Sequence, residues 1–205
     1  MTEIPEIGVL TIGHSNHPLE NFIALLRRHS ATAIADVRSS PYSKIYPQFN
    51  REPLQNSLKA HGINYVFLGR ELGGRPDDPG CYSEGRVQYR RLAQTELFKQ
   101  GISRIVNGAR SHGMVLLCAE AEPLVCHRAL LVTPELTALG VPVSHIRADG
   151  SLETHDEAMR RLVAMLGMAE TDLFRTKEEV IADACALQER RVAYASEPAS
   201  EKASA

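Results

Sequence analysis

No apolar run in this sequence approaches the length that crosses a bilayer, and its start, MTEIPEIGVL, lacks a basic segment followed by an apolar one. The expectation is a cytoplasmic protein with no membrane partner. Excess charge of either sign is missing too, since 205 residues carry a formal net charge of -2. That excludes an acidic disordered chain and a basic nucleic-acid clamp, and leaves a local arginine cluster as the route to phosphate. Cysteine is sparse: Cys81, Cys118, Cys126 and Cys185 are irregularly spaced, with no close CxxC pair. This is no disulfide framework, and the four read as reduced thiols. Internal repeats and a second domain are absent, and 43% hydrophobic residues suffice for one ordinary core.

What remains is an alternation of short strands and helices. Residues 7–12 (IGVLTI) form a β-branched apolar run closed by Gly13, which predicts a buried strand. Pro18 opens LENFIALLRRH, where Leu19, Phe22, Ile23, Leu25 and Leu26 recur at helical spacing. Residues 33–37 and 63–68 are strand-like, and 51–61 between them reads as a helix stopped by Gly62. The stretch 86–110 predicts a longer helix interrupted near Gly101, and 114–118 (MVLLC) a strand. Residues 127–139 predict a helix capped by Gly140 and kinked by Pro134, and 141–146 the last strand. An amphipathic helix over 153–166 and a charged one over 177–194 follow. Strands separated by helices of about a dozen residues define βαβ units and a parallel sheet. The expectation is a three-layer α/β/α sandwich with a mostly parallel central sheet: one domain over 1–168, a helical extension over 169–194 and a disordered tail over 195–205.

Two loops are long for such a fold, 38–50 and 69–85, and long ordered loops line or cover sites. Ligands of parallel α/β sheets bind outside the carboxyl ends of the strands. The residues at the ends of the predicted strands or just after them are Gly13-His14-Ser15, Asp36-Val37-Arg38, Cys118-Ala119-Glu120 with Cys126-His127-Arg128, and His145 with Arg147. All the strong polar groups therefore fall on one edge.

The combination GHS (13–15), DVRSSP (36–41), ELGGR (71–75), LLCAE (116–120), CHR (126–128) and HIRADG (145–150) resembles the domain of unknown function 488 family, with matches spread over about 11–150. The resemblance implies an α/β fold and a shared site, but no particular reaction. The region after about residue 166 lies outside it.

Chemistry must then be read from the side chains. His14, Asp36, Glu120, Cys126 and His127 are the candidate catalytic groups. Glu120 beside Asp36 can divide acid and nucleophile roles, as in glycosyl chemistry. Cys126, before a helix and near Arg128, is a candidate thiolate nucleophile, and the histidines can move protons. Ser15, Arg38, Gly73, Gly74, Arg75, Arg128 and His145 are the candidate binding residues, with the arginines suited to phosphate or carboxylate. Arg128 can equally pair with Glu120 or Asp36 and brace the loop, and Cys118 reads as an inert buried thiol. Against a phosphatase-like anion cradle stands the loop 119–125, which has two glutamates and no glycine. Tyr42, Tyr46, Phe49 and Tyr82 can stack on a base or pin their loops.

Three readings follow: an enzyme acting on a phosphate-bearing nucleotide or nucleic acid, a module that only binds one, and a zinc-stabilised interaction domain. Cys118 and Cys126 with two of His14, His127 and His145 make a tetrahedral zinc set, against which stand the missing CxxC pairs and the adjacency of Cys126 and His127. No residue is assigned to a metal on this pattern, no cofactor is implied, and the sequence leaves the oligomeric state open.

Overall fold

The computed structural model describes residues 8–169 and 174–196. The chain runs through β1 (Val9–Gly13), α1 (Leu19–Arg28), β2 (Ala33–Asp36), α2 (Arg51–Ala60), β3 (Asn64–Phe67), the single turn α3 (Gly69–Leu72), the hairpin β4 (Tyr82–Ser83) and β5 (Arg86–Val87), α4 (Tyr89–Ala93) and α5 (Glu96–Ala109). Next come β6 (Met114–Cys118), a π-helical turn (Arg128–Val132) continuing into α6 (Thr133–Ala138), β7 (Val143–Ile146), β8 (Leu152–Thr154), α7 (His155–Met165) and α8 (Lys177–Val192). No helix among the described residues is long and apolar enough to cross a membrane.

Six strands form the main sheet in the order β3-β2-β6-β1-β7-β8. The first five are parallel, and β8 runs antiparallel to β7. Every residue of β6 is buried, and successive side chains must point to opposite faces. Val115 and Leu117 therefore join Ile12 and Ile34 beneath Phe22 and Leu26 of α1 and Leu54 and Leu58 of α2. Met114, Leu116 and Cys118 join Val9, Ala35 and Val143 against Phe98 and Ile105 of α5 and Leu162 of α7. Two apolar layers on one sheet make the three-layer α/β/α sandwich that the alternation predicts. Each large aliphatic side chain buried in them contributes about 1.5–3 kcal/mol before conformational entropy is set against it.

The chain leaves β1 toward β2 and β3 on one side, and leaves β6 toward β7 on the other. Neighbouring strands whose connections diverge open a crevice at their carboxyl ends. That crevice lies between the ends of β1 and β6.

Several boundaries differ from the sequence expectation. The break in the stretch 86–110 falls at Gln94 and Thr95, where the Thr95 hydroxyl caps α5 by accepting from Phe98 N. Gly101 lies inside α5, and an added Cβ there would stand 2.7 Å from the Leu72 side chain, so its role is the close approach of α3. Arg86 and Val87 are strand, because the 69–85 loop ends in a hairpin whose turn uses Glu84 and Gly85 at positive φ. A further strand, β8, follows the turn at Gly150. Ala195 and Ser196, placed by the sequence in the tail, contact the hairpin: Ala195 bridges Arg86, and Ser196 N donates to Gly85 O at 2.8 Å. The rest of the expected tail lies outside the described residues.

Candidate functional site

A cleft of about 380 Å³ lies beyond the carboxyl ends of β2 and β6. Cys118, Ala119 and Glu120 enter it from the end of β6 and just past it, Cys126 and His127 from just before the π-helical turn, and Arg38, Ser39, Ser40 and Tyr42 from the loop after β2. Gly74 and Arg75 come from the second long loop, Tyr89 from α4, and Val192 and Tyr194 from the end of α8. An adjoining cleft of about 420 Å³ is lined by His14, Ser15 and Tyr46, and shares Arg38, Tyr42 and Glu120 with the first.

Backbone contacts hold this edge together. The Glu120 carbonyl passes so close over Gly13 that an added Cβ would lie 1.7 Å from its oxygen. His14 N donates to Cys118 O at 3.0 Å and Ser15 N to Ala119 O at 2.8 Å. Arg128 clamps the same segment from below: its Nη1 donates to Glu120 O at 2.6 Å, its Nη2 to Ala121 O at 3.0 Å and its Nε to Thr11 Oγ1 at 3.3 Å. A planar fork of donors suits two neighbouring carbonyls as a lysine would not. Gly74 packs on the His127 ring, 3.1 Å from where a Cβ would stand, and Arg75 N donates to Ser39 Oγ at 3.0 Å, tying the two long loops together.

The two carboxylates expected to work together are separated by their surroundings. Asp36 is fully buried and accepts from Arg38 N (3.1 Å), Nε (2.9 Å) and Nη2 (2.6 Å) and from Tyr65 Oη (2.7 Å). It does not line the cleft. Glu120 does: it is exposed on the cleft with its Oε2 3.0 Å from Cys118 Sγ, and partial desolvation of the carboxyl there, with the charge on Cys126 adding to the effect, raises it above its ordinary value. The loop's other glutamate turns away: Glu122 caps its turn by accepting from Leu124 N and pairs with Arg161 at 2.8 Å.

Two cysteines and one histidine meet at the cleft floor. Their ligand atoms, Sγ of Cys118 and Cys126 and a ring nitrogen of His127, all lie within 4.8 Å of one another. His127 Nδ1 is 3.7 Å from Cys118 Sγ and 4.0 Å from Cys126 Sγ. Its Nε2 is 3.0 Å from the Val37 carbonyl, an acceptor only, so that nitrogen carries the proton and Nδ1 faces the sulfurs. The adjacency of Cys126 and His127 is no obstacle, because the backbone turns from extended at Cys126 to helical at His127. Burial opposes ionisation of Cys126, but the neighbouring Cys118, the Arg128 guanidinium and the His127 ring outweigh it and hold the thiol well below its ordinary range. Cys118, beside Cys126 and buried, is pushed well above, and its thiol is the donor toward Glu120 Oε2. For His127, too, burial opposes the charged form, yet the hydrogen bond to Cys126 and its charge leave the ring more basic than a free imidazole.

Of the residues singled out in the sequence, Arg38, Gly74, Arg75, Glu120, Cys126 and His127 share the first cleft, and His14 and Ser15 line the second. Gly73 packs against Ser39, where an added Cβ would lie 2.5 Å from Oγ. Arg128 and His145 are fully buried and line neither. His145 Nδ1 is 2.8 Å from Thr11 Oγ1, and its Nε2 is 3.3 Å from His155 Nδ1. Burial lowers His145 to about 3 and His155 to about 4. His14 is also lowered by burial, to about 4, and stacks on Phe49 with ring centroids 4.5 Å apart. Tyr42 and Tyr46 line clefts, whereas Tyr82 pins its loop by donating to Pro76 O.

Tyr89, Val192 and Tyr194 were not singled out. Tyr194 carries the Arg75 guanidinium 4.6 Å from its ring centroid, and it reaches the cleft because Val87 N donates to its carbonyl at 2.9 Å. Nothing local in a charged helix announces that its end folds back to a distant loop.

A parallel α/β domain with a polar cleft at the carboxyl edge of its sheet is thus the class to which this chain conforms. The chain belongs to the family described as Domain of unknown function DUF488, whose model matches residues 18–133. That span contains the Asp36–Arg38 pair, Gly74, Arg75 and the whole Cys118–Arg128 loop, and leaves out His14, His145 and the α8 wall. No curated protein matches the chain.

Proposed function

We propose that the protein is an enzyme of the hydrolase or transferase type that acts on a phosphate-bearing substrate of nucleotide size in this cleft. One observation carries the reading: the Glu120 carboxylate stands in a concave site that also holds Arg38 and Arg75, at the edge where sheets of this kind bind ligands. Arg75 holds the anionic group, with Arg38 beside it, and Glu120 moves the proton at the reacting atoms. Asp36 and Arg128 are positioning residues, the first orienting Arg38 and the second fixing the Glu120 backbone. The faces of Tyr42 and Tyr194 suit a planar base. A net charge of -2 favours a compact ligand over a long nucleic acid.

The test is turnover and affinity for a panel of nucleoside phosphates and phosphodiesters, in the native chain and in Glu120→Gln. Turnover is expected to fall by about a hundredfold or more, with the dissociation constant within roughly threefold. Binding without turnover in the native chain would leave the non-catalytic module as the correct reading. Undiminished turnover by Glu120→Gln would remove Glu120 from the mechanism.

A further inference from the structure

We infer that Cys118, Cys126 and His127 form a binding site for one zinc-class divalent ion, with the ion's fourth position open to the cleft beside Glu120. In a tetrahedral site with Zn–S of about 2.3 Å and Zn–N of about 2.0–2.1 Å, the ligand atoms stand about 3.6 Å (S to N) and about 3.8 Å (S to S) apart. The two S to N separations here are 3.7 and 4.0 Å. Both S to N separations therefore lie within about half an ångström of that geometry, and all three ligand atoms lie within 4.8 Å of one another.

The surroundings match what such an ion requires. His127 Nε2 is held by the Val37 carbonyl, the outer hydrogen bond that fixes the tautomer and orientation of a ligating imidazole. Arg128 N donates to Cys126 Sγ at 3.4 Å, an N–H to sulfur bond that supports a metal-bound thiolate. Two thiolates and an imidazole select zinc over magnesium or calcium, which take oxygen ligands. Two thiolate charges cancel the ion's own, so the buried site carries no uncompensated charge. Closed structural zinc sites use four protein ligands, whereas sites with three and a vacant position bind water or substrate there. Glu120 lines the same cleft, with its Oε2 3.0 Å from Cys118 Sγ, and in this proposal it takes a proton from the oxygen bound at that position. The inference adds a metal to the enzyme reading without depending on it.

The experiment uses the full chain, purified without a metal-binding tag. Elemental analysis after exposure to equimolar zinc and dialysis is expected to find about one ion per chain. Replacement by cobalt is expected to give the intense visible bands of a tetrahedral thiolate-ligated ion. Cys126→Ser and His127→Asn should each weaken zinc binding at least tenfold while keeping the native circular dichroism, and Glu120→Gln should keep the ion. A folded native chain that takes up no zinc and gives no tetrahedral cobalt spectrum overturns the inference. So does an ion that survives the Cys118→Ser/Cys126→Ser double replacement, since it is then bound elsewhere. Metal without turnover defeats only the enzyme reading, and Glu120-dependent turnover without metal defeats only the metal site.

Discussion

Arg128 is the bulkiest of the fully buried side chains. Its guanidinium is spent on two main-chain carbonyls and the Thr11 hydroxyl, which makes it a brace for the loop that carries Glu120. Lysine in its place can satisfy only part of that set. Arg128→Lys is expected to cost about 2–4 kcal/mol in urea denaturation, because buried acceptors lose their partners; an unchanged midpoint and slope would show that the clamp is dispensable. The sequence shows an arginine in a first helical turn and offers two uses for it. Which atoms it meets depends on a loop folding back over Gly13, more than a hundred residues earlier, and no local pattern encodes that. The same holds for Asp36 and Glu120, alike in sequence context and opposite in exposure.

At the scale of elements, the strands of the parallel sheet were legible because β-branched apolar runs bounded by glycine have few other fates; residues 114–118 were read with their exact bounds. The misreadings arose where tertiary contact overrides local pattern. Gly101 looks like a break but is an approach point for α3, and the short β4–β5 hairpin gains its third partner only from the chain end. The most consequential such element is α8. Gln188 Nε2 donates to Leu124 O at 2.8 Å, and Glu189 accepts from Tyr89 N at 2.7 Å, anchoring the helix so that Tyr194 reaches the cleft. Tyr194→Ala is therefore expected to weaken binding of a nucleoside monophosphate roughly tenfold by removing the ring beneath Arg75, while Gln188→Ala costs about 1 kcal/mol of stability. Isothermal titration and thermal melting separate the two effects; equal ligand affinity in Tyr194→Ala would take the α8 end out of the site.

For the whole molecule, three buried histidines set a pH dependence. His14, His145 and His155 have folded pKa values of about 4, 3 and 4, below the free imidazole value of about 6.5. Unfolding lets them bind protons, so the stability they contribute is present above about pH 6.5 and is lost as pH falls toward those folded values. His127, raised in the folded state, works in the opposite direction and offsets part of the loss. The lowered carboxyls of Glu122 and Glu153 act only below about pH 4.5. Between pH 6.5 and 5 the unfolding free energy from urea denaturation should therefore decline, by on the order of 1 kcal/mol per pH unit for each uncompensated histidine, and the urea midpoint with it; His155→Gln should flatten the decline. A midpoint that stays level or rises toward pH 5 would contradict the buried neutral pair.

Convergence of distant polar groups on one edge was also legible at this scale, since parallel strands must all end on the same side. How those groups divide between ligand and scaffold was not, because it rests on depth of burial. The most direct test of that convergence is a backbone NMR titration of the isotope-labelled chain with a nucleoside monophosphate. Saturable shifts are expected at Arg38–Ser40, Gly74–Arg75, Cys118–Glu120 and Tyr194 together; shifts confined to residues of α1 and α2, or none at millimolar ligand, would contradict the account.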